Sequence, residues 1–292
     1  MYERRTDLAL EAHEALRGAS LPGVRKRERE RFCCGVTEVE IDGAEAEEAL
    51  GKMRGKYVTV DLSACRGWGP EESKRAACAV GAELRELLDA HGVRSALVVG
   101  LGNDAMTPDA IGPQVCRHVL ATRHLLREPA FAGLRPVAAL APGVLGRTGL
   151  EAFELIRGAV RAMRPDAVIA ADALASRSLR RLCSTVQLSD TGIVPGSGVG
   201  NRRSTLSERT LGVPVFAVGV PTVVDALTLA LDVLEESGGT PPEEGLRRRC
   251  ADVLVTPRDI DAEVRELSRA VGYGINLALQ PVGYDDLAAL IG

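Results

Sequence analysis

Between residues 57 and 236 the chain alternates short apolar runs with longer stretches of helical spacing, and this alternation narrows the possible folds more than any other feature. The runs at 57–61, 95–100, 135–140, 166–171, 185–188 and 214–220 have the lengths of buried strands. The stretches between them, at 71–91, 109–126, 148–163 and 222–236, carry helical periodicity, clearest in Ala76, Val80, Leu84, Leu87 and Leu88. The pattern predicts an α/β fold, a mostly parallel sheet with helices on both faces. The turn-rich segment 237–245 separates this region from a C-terminal helix expected at about 259–279. Hydrophobic residues make up 46% of the chain but aromatic residues only 3%, so the core is expected to be built of Ala, Val, Leu and Ile. The segment 25–31 alternates charge signs without an apolar face and reads as a solvated connection.

The formal net charge of −4 and pI near 5.7 give no polyanion-binding surface, so direct binding of nucleic acid is not expected. The stretch from Met1 to Asp7 lacks an apolar signal region, and no apolar run approaches the ~20 residues needed to cross a bilayer. A cytoplasmic chain without a membrane partner is the expectation. The seven cysteines form no CxxC pair, and Cys116 and His118, at i,i+2, would project from different helix faces. Reduced thiols packed as small core residues are therefore expected.

In doubly wound sheets, chemistry gathers in the loops that leave the carboxyl ends of the strands. Asp109 follows the run at 95–100 by way of Leu101-Gly102-Asn103-Asp104-Ala105-Met106-Thr107-Pro108, and Asp172 closes the run at 166–171. Asp109 could serve only as a first-turn acid facing a helix dipole, and Asp172 only as a cap or a partner for Arg177. Yet two acids from neighbouring βα units emerge on one sheet edge, and a carboxylate pair in one site can divide into a base for water and an acid for a leaving amine. Asp190, before a turn, Asp225, one turn into the helix expected at 222–236, and Asn103, in the glycine-rich turn, are secondary candidates. A cation held by Asp109, Asp172 and a further oxygen remains an alternative. So does a non-catalytic module whose glycine-rich loops bind a nucleotide or an acidic tail. Neither loop carries a full phosphate-binding motif. Val98-Val99-Gly100-Leu101-Gly102-Asn103 lacks a third glycine, and Pro195-Gly196-Ser197-Gly198-Val199-Gly200-Asn201 lacks the Gly-Lys-Ser/Thr ending and reads as an exposed loop near a substrate cleft. No cofactor is expected. His13, His91, His118 and His124 form no triad arrangement, and no HExxH occurs.

These segments, with Ala141-Pro142-Gly143-Val144, Ala171-Asp172-Ala173-Leu174-Ala175, Ser189-Asp190-Thr191-Gly192-Ile193 and Gly219-Val220-Pro221-Thr222-Val223-Val224-Asp225-Ala226, resemble the germination protease family in order along the chain. The likeness extends to Arg5-Thr6-Asp7-Leu8-Ala9-Leu10-Glu11-Ala12, Gly51-Lys52 and Val255-Thr256-Pro257. It implies a fold similar to the hydrogenase-maturation endopeptidases, and an endopeptidase that degrades small acid-soluble spore proteins in the core of a germinating spore. It also implies a homotetrameric, self-processing zymogen, with Asp109 and Asp172 matching the family's essential aspartates. Asp7-Leu8-Ala9-Leu10-Glu11 resembles the family's cleavage site, so self-cleavage is expected between Asp7 and Leu8, leaving a pro-segment of residues 1–7 ahead of an α/β domain at 8–292. The family's long segment before the Val-Thr-Pro block shrinks here to 235–252, which leaves contacts built on it in doubt.

Overall fold

The computed structural model describes residues 6–15, 21–196, 204–238, 243–250 and 253–291. Among these residues nine strands form one sheet: β1 (Val24–Arg31), β2 (Cys34–Ile41), β3 (Gly55–Asp61), β4 (Ala96–Gly100), β5 (Val137–Leu140), β6 (Ala167–Ser176), β7 (Thr185–Ser189), β8 (Val215–Asp225) and β9 (Leu254–Val255). Their order is β1-β2-β3-β7-β8-β6-β4-β5, with β9 paired to β8. The α/β class follows the alternation in the sequence, and parallel pairing runs through β8, β6, β4 and β5. From β8 outward to β1 the pairing is antiparallel; a two-residue turn joins β1 to β2, and the helix Ala44–Leu50 lies between β2 and β3.

Strand side chains alternate between two faces, and the sequence feeds a separate core to each. Ala96, Val98, Ile169, Phe216 and Val218 face the helices Pro70–Ala90, Ile111–Arg117 and Ile260–Leu279. Leu97, Val99, Val168, Ala170 and Val215 face the helix Ala152–Met163 through Ile156 and Val160. The C-terminal helix spans Ile260–Leu279, where about 259–279 is expected. The stretch at 109–126 does not form one helix: it breaks into a 3-10 turn at Thr107–Asp109 and the short helix Ile111–Arg117, after which Thr122 and Arg123 donate to the Val137 carbonyl and draw the chain onto β5.

The segment expected to be a solvated connection is β1. All eight of its residues pair with β2, and opposite charges meet across the ladder at Arg25–Glu40 and Arg27–Glu38. Its inner end is held by Glu83, a buried acid on the Pro70–Ala90 helix that accepts from Arg29 and Arg31. Charges along an edge strand also discourage pairing with another chain. The β1–β2 turn, Phe32-Cys33, has φ of 51° and 63°. Both values are left-handed, as a two-residue type I′ turn requires, but neither residue is the Gly, Asn or Asp that signals one.

Glu83→Ala is expected to lower stability by about 1–3 kcal/mol in urea unfolding, since it removes the buried carboxylate that accepts from both Arg29 and Arg31. An unchanged transition would refute a structural role for the cluster.

Candidate active site

Because β4 and β6 are parallel neighbours, their carboxyl ends open on the same edge of the sheet. Leu101 N–H donates to the Ala171 carbonyl at 2.8 Å, extending the ladder one residue before the chain turns at Gly102. Gly102 has φ of +113°, and a Cβ there would lie 2.0 Å from the Asp109 carbonyl oxygen, so only glycine lets this loop close around Asp109. Asn103 N–H then donates to Asp109 Oδ2 at 2.8 Å, while the Asn103 side chain accepts from Ala105 N–H at 3.1 Å. Asn103 thus orients the Asp109 carboxylate through its backbone.

A second device reaches Asp109 from β8. In the β6–β8 register Leu174 faces Pro221 but Ala175 faces Val223, leaving Thr222 as the extra residue of a bulge. The bulge also accommodates Pro221 within a strand. Buried Thr222 donates through Oγ1 to the Pro108 carbonyl at 2.6 Å, and Thr256 Oγ1 donates to the Thr222 carbonyl at 3.0 Å. The Val-Thr-Pro block therefore supports the turn that carries Asp109.

Asp172 lies within β6, which runs on to Ser176, so it does not close the strand as its sequence context predicts. It is 6% exposed and pairs laterally with Gly219 of β8. Gly219 pairs in turn with Gln187 of β7. Gln187, Gly219 and Asp172 thus form one row on one face, with Cα atoms of the outer two roughly 10 Å apart by strand spacing; the Leu174 side chain packs over Gly219, where a Cβ would lie 2.2 Å from Leu174 Cδ1. Asp109 and Asp172 line a cleft of about 190 Å³ whose wall includes Leu101, Phe153, Leu174 and Leu206. That is several times the ~30 Å³ share of one water, so water and a length of substrate can share it. Pro195 and Gly196 also line it; 197–203, the rest of that glycine-rich loop, lies outside the described residues.

The secondary acids sit elsewhere. Asp225 is the last residue of β8, not part of a helix, and caps the helix Ala226–Glu236: its Oδ1 accepts from Thr228 N–H at 2.8 Å and Thr228 Oγ1 at 2.9 Å. Asp190 accepts from Lys56 N–H at 2.8 Å and lines a different cavity with Lys56, Glu83 and His91. Arg177 forks onto Asp232 at 2.7 and 2.8 Å.

The same cleft receives Asp7. Its N–H donates to the Ala175 carbonyl and its Oδ2 accepts from Ala175 N–H, both at 2.9 Å, so the segment adds to the end of β6. Its carbonyl accepts from Lys52 Nζ at 2.9 Å and Gln187 Nε2 at 3.2 Å, and Ala9 N–H donates to Gln187 Oε1 at 2.7 Å. Leu8 is fully buried in the apolar cluster that holds Leu174 and Leu206. Downstream, buried Glu11 accepts from Thr6 Oγ1 at 2.5 Å, Arg177 N–H at 2.6 Å and Ser178 N–H at 3.0 Å. The roles of Lys52, Gln187 and Glu11 escape sequence reasoning because their partners lie up to 180 positions away; Lys52, in the Gly51-Lys52 block, and Glu11, in the cleavage-site resemblance, carry a sequence signal, and Gln187 carries none.

Burial pushes the Cys34 and Cys183 thiols up to about 12 and that of Cys116 up to about 11. Such thiols stay protonated and unreactive near neutral pH. Among the described residues, no group of three or more His, Cys, Asp or Glu is disposed to hold a metal ion. Nor does any helix among them have the length and apolarity to cross a membrane.

Residues 5–236 match the family model described as germination protease. A relative of that name from Caldanaerobacter subterraneus subsp. tengcongensis is 41% identical over 305 residues, covering 95% of this chain and 94% of that protein. Another, from Clostridium tetani, is 38% identical over 308 residues, covering 95% of each. A third, from Clostridium perfringens, is 41% identical over 313 residues, covering 96% of each. A solved NiFe hydrogenase maturation protease HycI from Thermococcus kodakarensis aligns with 66% of this chain and 99% of its own, at 17% identity and a TM-score of 0.38, too distant to bear on mechanism. The chain is a protease. It belongs to the germination protease family.

Two outcomes follow for the site. Thr222→Val leaves the Pro108 carbonyl without its donor and is expected to lower stability by about 1–3 kcal/mol while slowing proteolysis at least tenfold; an active, equally stable variant would separate the bulge from the site. Iodoacetamide at neutral pH is expected to modify exposed Cys33 before any buried thiol and to leave proteolysis intact, as mass spectrometry with a peptide-cleavage assay would read.

Proposed function

We propose that Asp109 and Asp172 are the catalytic pair of an endopeptidase that first cleaves its own Asp7–Leu8 bond and then cuts small acid-soluble spore proteins during germination. One observation carries this reading: the Asp7–Leu8 segment enters the cleft that both aspartates line, gripped on either side of that bond by Ala175 and Gln187. Peptide hydrolysis needs one carboxylate to take a proton from water and one carboxylic acid to give a proton to the leaving nitrogen, and two acids in one cleft meet that need. Water adds to the Asp7 carbonyl carbon, the C–N bond breaks, and the products are the Asp7 carboxyl group and the Leu8 amine.

The contacts of the chain's own segment also describe a substrate. An acidic residue before the cut meets the Ala175 N–H, an apolar residue after it enters the Leu174 and Leu206 cluster, and an acid at the position of Glu11 meets the N–H groups of Arg177 and Ser178. Family membership supports the germination role, and the resemblance extends the reading to a zymogen that assembles as a homotetramer and acts in the spore core.

Asp109→Asn and Asp172→Asn are each expected to slow cleavage by about 10²–10⁴-fold. The readouts are the mass of the purified chain under conditions where the unaltered chain sheds residues 1–7, and cleavage of a spore-protein substrate. Near-normal rates in either variant would refute the pair.

A further inference from the structure

Resting on the reading that Asp7–Leu8 is the bond cleaved, we infer that Lys52 and Gln187 are the oxyanion site of this protease, holding the scissile carbonyl and stabilising the charge that develops on its oxygen. The carbonyl in question accepts from two side chains at once, Lys52 Nζ at 2.9 Å and Gln187 Nε2 at 3.2 Å. Converging donors at this range, placed before the reaction starts, are what an oxyanion needs, and they gain strength as the oxygen goes from a partial to a full negative charge.

Each donor is fixed by something other than the carbonyl. Gln187 is 8% exposed, and its Oε1 is occupied by Ala9 N–H, so its amide nitrogen is the atom left to face residue 7. One amide group thus straddles the bond, reading the residue before the cut with its nitrogen and the second residue after it with its oxygen. The strand row puts this amide across Gly219 from Asp172, with the Leu174 side chain packed over the glycine between them. Lys52 Nζ also donates to the Thr6 carbonyl at 3.2 Å, which fixes its head over the segment.

Lys52 is desolvated, which holds its pKa below the ordinary lysine range, while Asp7 and Glu11 pull it back up. A charge in such a setting acts more strongly on a nearby oxygen than it would in water. As water adds to the Asp7 carbon, the π electrons of the carbonyl move onto its oxygen, which faces Lys52 and Gln187. The proton lost by water goes to one aspartate. When the intermediate collapses, those electrons re-form the carbonyl, the bond to the Leu8 nitrogen breaks, and that nitrogen takes a proton from the other aspartate.

Two substitutions test this in the full chain. Lys52→Met removes the cationic donor, and Gln187→Glu keeps the acceptor for Ala9 while replacing the N–H that faces the carbonyl. Each is expected to slow self-cleavage by about 10²–10³-fold, the loss typical of one oxyanion donor, with Lys52→Arg recovering part of the rate. Hydrogen exchange at the Asp7 and Ala9 amides, measured on the same samples, reports whether the segment is still seated, and is expected to remain as slow as in the unaltered chain. A rate that falls only in step with lost amide protection would make Lys52 and Gln187 clamps for the segment and overturn the inference. So would an unchanged rate. An unaltered chain that never loses residues 1–7, or loses them by cleavage at another bond, would overturn the self-cleavage reading and take the oxyanion assignment with it.

Discussion

The parallel pairing of β4, β6 and β8 is the constraint on which the site depends. Parallel strands end side by side, so the turn after β4 and the last residues of β6 are brought to the same edge whatever else the chain does. Everything polar at that edge is then a matter of where the ladder is interrupted. Leu101 adds one more bond to Ala171 before Gly102 turns the chain back, and the bulge at Thr222 turns a strand side chain toward Pro108. Asp109 is thus positioned by two irregularities of an otherwise regular sheet, and it inherits the sheet's rigidity without lying on a strand.

Much of the α/β layout is legible in the sequence because it rests on periodicity. Runs of four to seven residues become strands of the sheet, buried in the centre and partly exposed at the β5 edge, and the helical spacing of Ala76, Val80, Leu84 and Leu88 becomes a face that packs against them. What escapes is whatever depends on a partner. Segment 25–31 has no apolar stripe, so nothing local marks it as a strand; its stability comes from β2 and from Glu83, more than fifty positions away. Its turn uses Phe32 and Cys33 in a conformation for which sequence rules expect Gly or Asn. The ends of β6 and β8 are hidden for the opposite reason. Asp172 and Pro221 look like terminators, yet both strands continue, because burial in the sheet's centre and one bulge accommodate them.

The candidate site divides along the same line. Asp109 and Asp172 can be found from strand-end position and from the resemblance, and the cleft contains both. Asp190 and Asp225 share their local chemistry but not their address: one lines another cavity and the other caps a helix, distinctions that only three-dimensional register makes. Gln187 is a polar residue in an apolar strand, and its meaning emerges only when Gly219 is seen to separate it from Asp172.

The seating of Asp7 has a kinetic consequence. A segment tethered beside its own cleft is present at an effective concentration of the order of millimolar, however dilute the protein. On the reading that Asp7–Leu8 is the bond cleaved, an external substrate would have to compete with that concentration for the Ala175 and Gln187 groups, without any change of shape in the cleft. A reaction at Asp7–Leu8 would be first order and indifferent to protein concentration. Cutting there would also convert a tethered ligand into one free to diffuse away, so a single event would both spend the blocking segment and release the site, with Leu8 to Glu11 still anchored as the new chain end.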